Sequence, residues 1–186
     1  MNLEAIVRDC LEGKEGAWDM LVDLYSKKIF NMAYQFTGVT QEAEDLTQDI
    51  FIKLYNSLAK FDFEKNFTAW FLTLAKNHLI DEYRRTRWEK KQRDDFDEHF
   101  QTAAVEDDPE RSVILEENRK TLWGGLNRLP NDIRMAIILK EIQGKKYEEV
   151  AEILGAPVGT VKSRINRGRL ELARILKDRR ETRHDA

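Results

Sequence analysis

The sequence predicts an all-α fold, on three observations. Its 186 residues include only three prolines. Strand-like alternation is scarce, and stretches rich in Leu, Ile, Glu, Lys and Arg repeat apolar positions at alternating spacings of three and four. With 41% hydrophobic residues the chain is long enough for one or two small cores, of which two are expected. The predicted organisation is a helical unit over residues 1–93, an acidic linker over 94–108 and a second helical unit over 109–186.

In the first unit, Thr40 is predicted to cap a helix whose inner side carries Ala43, Leu46, Ile50, Leu54 and Leu58, with Phe51 at its edge. On the opposite side fall Asp45, Gln48, Asp49 and Ile52, a mixture of carboxylates, an amide and an aliphatic that suits a protein partner. Taken alone, an ordinary solvated surface is the favoured explanation of them. Phe61, Phe63, Phe67, Trp70 and Phe71 crowd together next, and most should fill core positions. Between Arg84 and Arg93 six bases face only Glu89, a local charge of +5. Rings beside such charges suit single-stranded DNA, because each stacked base contributes on the order of 1–3 kcal/mol while cations hold the backbone.

From Asp94 to Asp108 seven acids occur with no Lys or Arg, which predicts a flexible linker. Asp108, Pro109 and Glu110 then supply a cap, a first-turn proline and an acid at a helix start. Gly124 and Gly125 are expected to kink or break the helix that follows.

Tyr147 to Leu172 reads as a short amphipathic helix, a tight turn and a second helix. Val150, Ala151 and Leu154 form the buried stripe of the first, and Gly155 ends it. Pro157 fits the turn or the next helix's first position, and Thr160 can cap that helix or meet phosphate at its start. Along the second helix Val161, Ile165, Gly168, Leu172 and Ile175 mark the packing face, with Gly168 permitting close approach. Lys162, Ser163, Asn166 and Arg167 project from the other side, flanked by Arg164 and Arg169. Such side chains can hydrogen-bond base edges and phosphates. From Lys162 to Arg183 nine bases oppose three acids, a local +6 in a chain whose net charge is −3, the footprint of a polyanion-binding helix.

Several function classes are disfavoured. Cys10 is the single cysteine and His78, His99 and His184 are dispersed, so no metal site and no cofactor is expected. No apolar run approaches the roughly 20 residues of a membrane span, and no basic-then-apolar leader is seen, which predicts a cytoplasmic protein. Neighbouring acids such as Glu44 with Asp45, or Asp81 with Glu82, point about 100° apart on a helix and share a site poorly. No nucleophile set, phosphate loop or HExxH spacing is visible, so no enzyme is expected.

Three ordered segments, EAEDLTQDIFIKLY (42–55), FTAWFLTLAKNHLIDEYRR (67–85) and LPNDIRMAIILKEIQGKKYEEVAEILGAPVGTVKSRINRGR (129–169), together resemble an extracytoplasmic-function (ECF, group 4) sigma factor of the sigma-70 family. A lone helix-turn-helix is shared with many regulators; the ordered set is far more specific. The resemblance implies that the first unit is sigma region 2, docking core RNA polymerase through Asp45, Gln48, Asp49 and Ile52. This unit would melt the minus-ten element, with Asn66, Asn77, Arg84, Arg85 and Arg87 as DNA contacts. Asp81 is expected to partner a neighbouring arginine rather than DNA. The second unit would be region 4, reading the minus-thirty-five element through Lys162, Ser163, Asn166 and Arg167. Lys140, Tyr147, Thr160, Arg164 and Arg169 would position phosphates. The implied partners are core RNA polymerase, promoter DNA and an anti-sigma factor. A helix-turn-helix regulator acting without polymerase is the alternative; it leaves the second basic cluster unexplained.

Overall fold

The computed structural model describes residues 2–92 and 121–184, with side chains described through residue 86 in the first stretch and through 177 in the second. The predicted acidic linker and the Asp108–Pro109–Glu110 helix start lie outside the described residues. Within them the chain is helical and no strand occurs, so the all-α prediction holds.

The first unit comprises α1 (Leu3–Leu11), α2 (Ala17–Thr37), α3 (Thr40–Ser57), a 3-10 turn (Leu58–Lys60) and α4 (Phe67–Gln92). Asn2 caps α1, its Oδ1 accepting the Glu4 N–H at 3.1 Å. Helices α2 and α3 form an antiparallel pair, since Trp18 near the start of one stacks at 5.0 Å on Tyr55 near the end of the other. Their connection is so short that Thr40 is already helical and Val39 takes the N-cap position. The hydroxyl of Thr37, not that of Thr40, accepts the Val39 N–H, which corrects the predicted cap.

On α3 the inner stripe is as predicted: Ala43, Ile50 and Leu54 are fully buried, Leu58 follows in the 3-10 turn, and Leu46 is half-buried. Phe61, Phe67 and Phe71 are core residues, joined edge-to-face with Tyr25 and Phe51, an arrangement that adds to the energy of their burial. Only Phe63 and Trp70 of that cluster stay half-exposed, and Arg8 sits 4.1 Å over the Phe63 ring. The core therefore takes most of the rings that stacking on DNA would need.

The second unit begins, within the described residues, with a helical stretch over 121–128 (α5). It continues with α6 (Asn131–Ile137), a π-helical turn (Ile138–Ile142), α7 (Tyr147–Leu154) and α8 (Val158–His184). Gly124 and Gly125 do not break α5. Both are buried, and a Cβ on Gly125 would stand 3.0 Å from Leu172 Cδ2, so the missing side chain lets α5 lie close to α8. Close packing offsets the roughly 1 kcal/mol that each glycine costs in a helix.

Helix α7 departs from the predicted stripe. Val150 and Ala151 are buried, but Ile153 is buried as well and Leu154 only partly. The cause is a second neighbour: α7 packs against α8 on one side and against α4 of the first unit on the other, where Thr73 Oγ1 donates to the Ile153 carbonyl at 3.2 Å. On α8 the predicted face is observed, with Val161, Ile165, Gly168 and Ile175 buried and Leu172 half-buried. Gly168 is where α6 crosses. A Cβ there would meet Ile137 Cγ1 at 2.7 Å and Ile133 Cγ2 at 2.8 Å.

The two units meet across an extensive seam, and their buried apolar residues form one contiguous cluster rather than the two separate cores the sequence suggests. Arg134 of α6 is completely buried at this seam. Its Nη2 donates to the Phe36 carbonyl across the seam and to Asn127 Oδ1 within its own unit, and its guanidinium lies 4.4 Å over Phe36 and 5.0 Å over Tyr83. A buried cation is tolerable only with such compensation, here from carbonyl oxygens and ring faces. Trp123 Nε1 donates to the Tyr34 carbonyl at 3.2 Å, and Gln143 Nε2 to Gln35 Oε1 at 3.0 Å. Gly38, left-handed at φ +78°, ends α2 where its ideal Cβ would stand 2.6 Å from Trp123 Cδ1. Only glycine satisfies both the turn and the ring.

Candidate functional site

Three exposed faces carry the predicted side chains. The first is the outer side of α8. Pro157 precedes the helix in the turn, and the Val161 N–H reaches back to its carbonyl at 3.0 Å. Thr160 is thereby a first-turn residue, exposed but not the cap; its carbonyl accepts from Ser163 Oγ at 2.8 Å. Lys162, Ser163, Asn166 and Arg167 are all exposed on one side of the helix, opposite the Val161–Ile165–Gly168 face. Tyr147, at the start of α7, joins this surface, its ring 4.7 Å from Lys140 Nζ and 5.5 Å from Lys162 Nζ. The π-helical turn brings Lys140 there; its ammonium also donates to the Lys145 carbonyl at 3.0 Å.

Two predicted phosphate contacts already have acidic partners. Arg169 donates to Glu141 at 2.7 Å and Arg164 to Asp132 at 3.3 Å. Glu141 and Asp132 lie 28 and 32 residues away in sequence, too far for periodicity to reveal them. These pairs are solvent-exposed and worth about 0–1 kcal/mol each, so a phosphate can displace the carboxylates.

The second face belongs to α4. Asn66 serves as its cap, Oδ1 accepting the Ala69 N–H at 2.9 Å, which gives this predicted DNA contact a structural task as well. Asn77 and Arg84 are exposed, about 40° and 20° around the helix from Thr73 at 100° per residue. Arg85 is exposed and pairs with Glu82 at 2.6 Å. Asp81 stands in the field of Lys76, and Glu82 is an acid seen paired with an arginine on this face. Arg87 continues the helix, its side chain outside the described residues.

The third face lies on α3, where Asp45, Gln48, Asp49 and Ile52 are exposed together, Ile52 at 60%. Sequence reasoning missed Tyr55, which is 65% exposed and three residues beyond Ile52 on the same stripe. The spacing 45, 48, 52, 55 was a readable signal for Tyr55.

His78 of α4 supports this face from behind. Its ring is buried between Lys53, whose Nζ is 2.9 Å from Nδ1, and Asp49, whose Oδ2 is 3.7 Å from Nε2. Burial, reinforced by the Lys53 charge, lowers its pKa below the ordinary 6.5 against the opposing pull of Glu82 and Asp49. The unfolded chain therefore binds this proton more readily. Stability from the neutral ring is fully present above about pH 6.5 and is lost as pH falls through the folded value. Urea titrations from pH 7.5 down to 5.5 should show this loss, and His78→Gln should flatten the acid side; an unchanged slope would rule out His78 as its source.

Comparison with known proteins places these faces in one family. The Sigma-70 region 2 family matches residues 21–89 and the Sigma-70, region 4 family matches residues 120–172. The chain is 34% identical over 179 residues to the RNA polymerase sigma-H factor of Pseudomonas aeruginosa, covering 93% of each chain. It is 33% identical over 184 residues to the ECF RNA polymerase sigma factor SigW of Bacillus subtilis, covering 96% of this chain and 98% of that one. Among solved structures it resembles the sigma factor RpoE of Bartonella quintana, crystallised with the anti-sigma factor NepR, at 30% identity and a TM-score of 0.63 over 87% of this chain and 98% of that one. CnrH, solved with the cytosolic domain of CnrY, shares the fold at 24% identity and a TM-score of 0.67, over 94% of this chain and 96% of that one. The chain belongs to the ECF RNA polymerase sigma factors of the sigma-70 family. Within it, the α3 and α4 faces fall in region 2 and the α8 face in region 4.

Proposed function

We propose that this sigma factor docks core RNA polymerase through Asp45, Gln48, Asp49 and Ile52, with Tyr55 as a further apolar anchor. In this reading region 2 occupies residues 1–93 and engages the opened minus-ten element through Asn66, Asn77, Arg84, Arg85 and Arg87. Region 4, from residue 109 onward, lays α8 in the major groove of the minus-thirty-five element. Lys162, Ser163, Asn166 and Arg167 read base edges, while Lys140, Tyr147, Thr160, Arg164 and Arg169 set the register on phosphates. The acidic residues 94–108 connect the two. The observation that carries this reading is the coexistence, on one family-assigned fold, of an acidic and apolar face on α3 and two cationic helix faces on α4 and α8. The chemistry of transcription belongs to the polymerase, and the chain itself positions DNA. A protein antagonist of the anti-sigma class is the expected regulator, since the RpoE relative is held by one. The chain acts in the cytoplasm, where its polymerase is; no helix among the described residues is long and apolar enough to cross a membrane.

Arg167→Ala tests base reading. Its side chain is exposed, so the fold should be unaffected, and affinity for a matched minus-thirty-five duplex should fall by about 1–3 kcal/mol. A scrambled duplex should lose much less. Equal losses on both duplexes would reassign Arg167 to phosphate contact.

A further inference from the structure

Leu170 stands 66% exposed on α8, the most open of the large apolar side chains among the described residues. A single exposed leucine on a solvated surface means nothing by itself. Its place on the helix does. At 100° per residue Leu170 lies roughly 180° around α8 from the middle of the packed face of Val161, Ile165, Gly168 and Ile175, and only about 20°, 40° and 60° from Ser163, Asn166 and Arg167. It therefore continues the stripe of proposed base readers about one turn beyond Arg167. The phosphate-positioning arginines Arg164 and Arg169 stand roughly 120° and 100° away from it, on the flanks.

An α-helix about 10–12 Å across fills a major groove about 12 Å wide, so side chains opposite its packed face point at the groove floor, while those on its flanks point at the phosphate walls. Leu170 points at the floor. Seven positions beyond Ser163, it stands about 10.5 Å further along the axis, or roughly three base pairs at 3.4 Å per pair. Homeodomain recognition helices read bases over a comparable span. The neighbouring carboxylate does not intrude, because Glu171 is turned about 100° away and is held by Arg174 at 3.1 Å.

We propose that Leu170 is a specificity-determining residue of region 4, which selects an A·T pair in the minus-thirty-five element by packing on the thymine C5 methyl. The proposal rests on α8 lying in the major groove as proposed above. Among the groups that base pairs show in that groove, only this methyl is apolar; the others are hydrogen-bond donors or acceptors. Leucine can satisfy none of those. Set against a G·C pair, it would strip water from the guanine N7 and O6 acceptors or the cytosine amino group and leave them unpaired, whereas against thymine it displaces water from a methyl.

The test uses core RNA polymerase reconstituted with the full chain. A duplex carrying a minus-thirty-five element is selected from a randomised pool by the wild-type complex, and each of its thymines is replaced in turn by deoxyuridine, which removes only the C5 methyl. At one thymine, or two neighbouring ones, the wild-type complex should bind about three- to fivefold more weakly, the effect of one buried methyl. The Leu170→Ala complex should bind the thymine and deoxyuridine duplexes equally, both at least threefold more weakly than the wild type binds thymine, and the exposed position should leave Tm unchanged. A wild-type complex indifferent to every thymine methyl, or a Leu170→Ala complex that responds to the same methyl as strongly as the wild type, would overturn the inference. Asn166→Ala with Arg167→Ala separates this from the broader reading. If that pair leaves the preference for the selected over a scrambled duplex intact, base reading by α8 fails and Leu170 with it; if the pair abolishes the preference while the methyl effect survives Leu170→Ala, only the thymine contact fails.

Discussion

Ile52→Asp is expected to abolish stable association with core RNA polymerase while leaving the fold intact. Ile52 is 60% exposed on α3 and buries nothing in the core, so its replacement should change stability by no more than about 0.5 kcal/mol. Binding is another matter. An apolar anchor near the centre of an interface contributes on the order of 2–4 kcal/mol, and a carboxylate in its place would lie desolvated beside Asp45 and Asp49. The loss should therefore be roughly 30- to 1000-fold in affinity at 1.4 kcal/mol per tenfold. Co-elution with core polymerase and a binding titration measure it. Asp45→Ala with Gln48→Ala should weaken binding in the same direction, through lost polar contacts at the rim. Retention of full affinity by Ile52→Asp would move the docking face off α3.

Gly168→Val should have the largest effect on folding. The Cβ alone would approach Ile137 Cγ1, Ile133 Cγ2 and Ile137 Cδ1 at 2.7, 2.8 and 2.9 Å, closer than real side-chain carbons come. Helix α8 would have to lift away from α6, and with it the recognition face on its other side. Overpacking of this kind costs about 1–3 kcal/mol, which corresponds to a fall in Tm of roughly 2–4 °C per kcal/mol for a chain of this size. Gly168→Ala is the informative companion. It gains roughly 1 kcal/mol of helix propensity against a smaller clash, so it should be markedly milder than valine. Equal Tm values for valine and wild type would show that α6 and α8 are not in close contact at this point. Promoter binding should fall in step with Tm for the valine variant, because the proposed base readers Lys162, Ser163, Asn166 and Arg167 all project from that one helix.

What could be read from the sequence was whatever repeats at helical spacing. The α3 and α8 stripes, the end of α7 at Gly155 and the close approach at Gly168 all follow from residues within about two turns of one another. The cationic face of α8 was legible for the same reason, since bases there outnumber acids locally although the whole chain is acidic.

What was hidden depends on residues far apart in the chain. Ile153 is buried because α4 lies over α7, a fact settled by the packing of residue 73 on residue 153. Gly124 and Gly125 looked like helix breakers, but the space beside Gly125 is filled by Leu172 of α8, nearly fifty residues later. Arg134 was unremarked as one of many charges, and its burial at the seam appears only once Phe36 and Tyr83 are in place beside it. The Thr40 cap failed for a subtler reason, because the turn at Gly38 lets Thr37 supply the hydroxyl instead. Among the candidate sites, the α3 face shows the limit best: spacing marks which residues share a side, while only the packing of α4 brings His78 behind it.

Run-off transcription with purified core RNA polymerase, lacking any other sigma factor, on promoter-containing genomic DNA tests the central claim most directly. The wild-type chain should give discrete transcripts that vanish with Ile52→Asp and change in template preference with Arg167→Ala. Transcripts that are absent with the wild-type chain, or identical with and without it, would contradict the account.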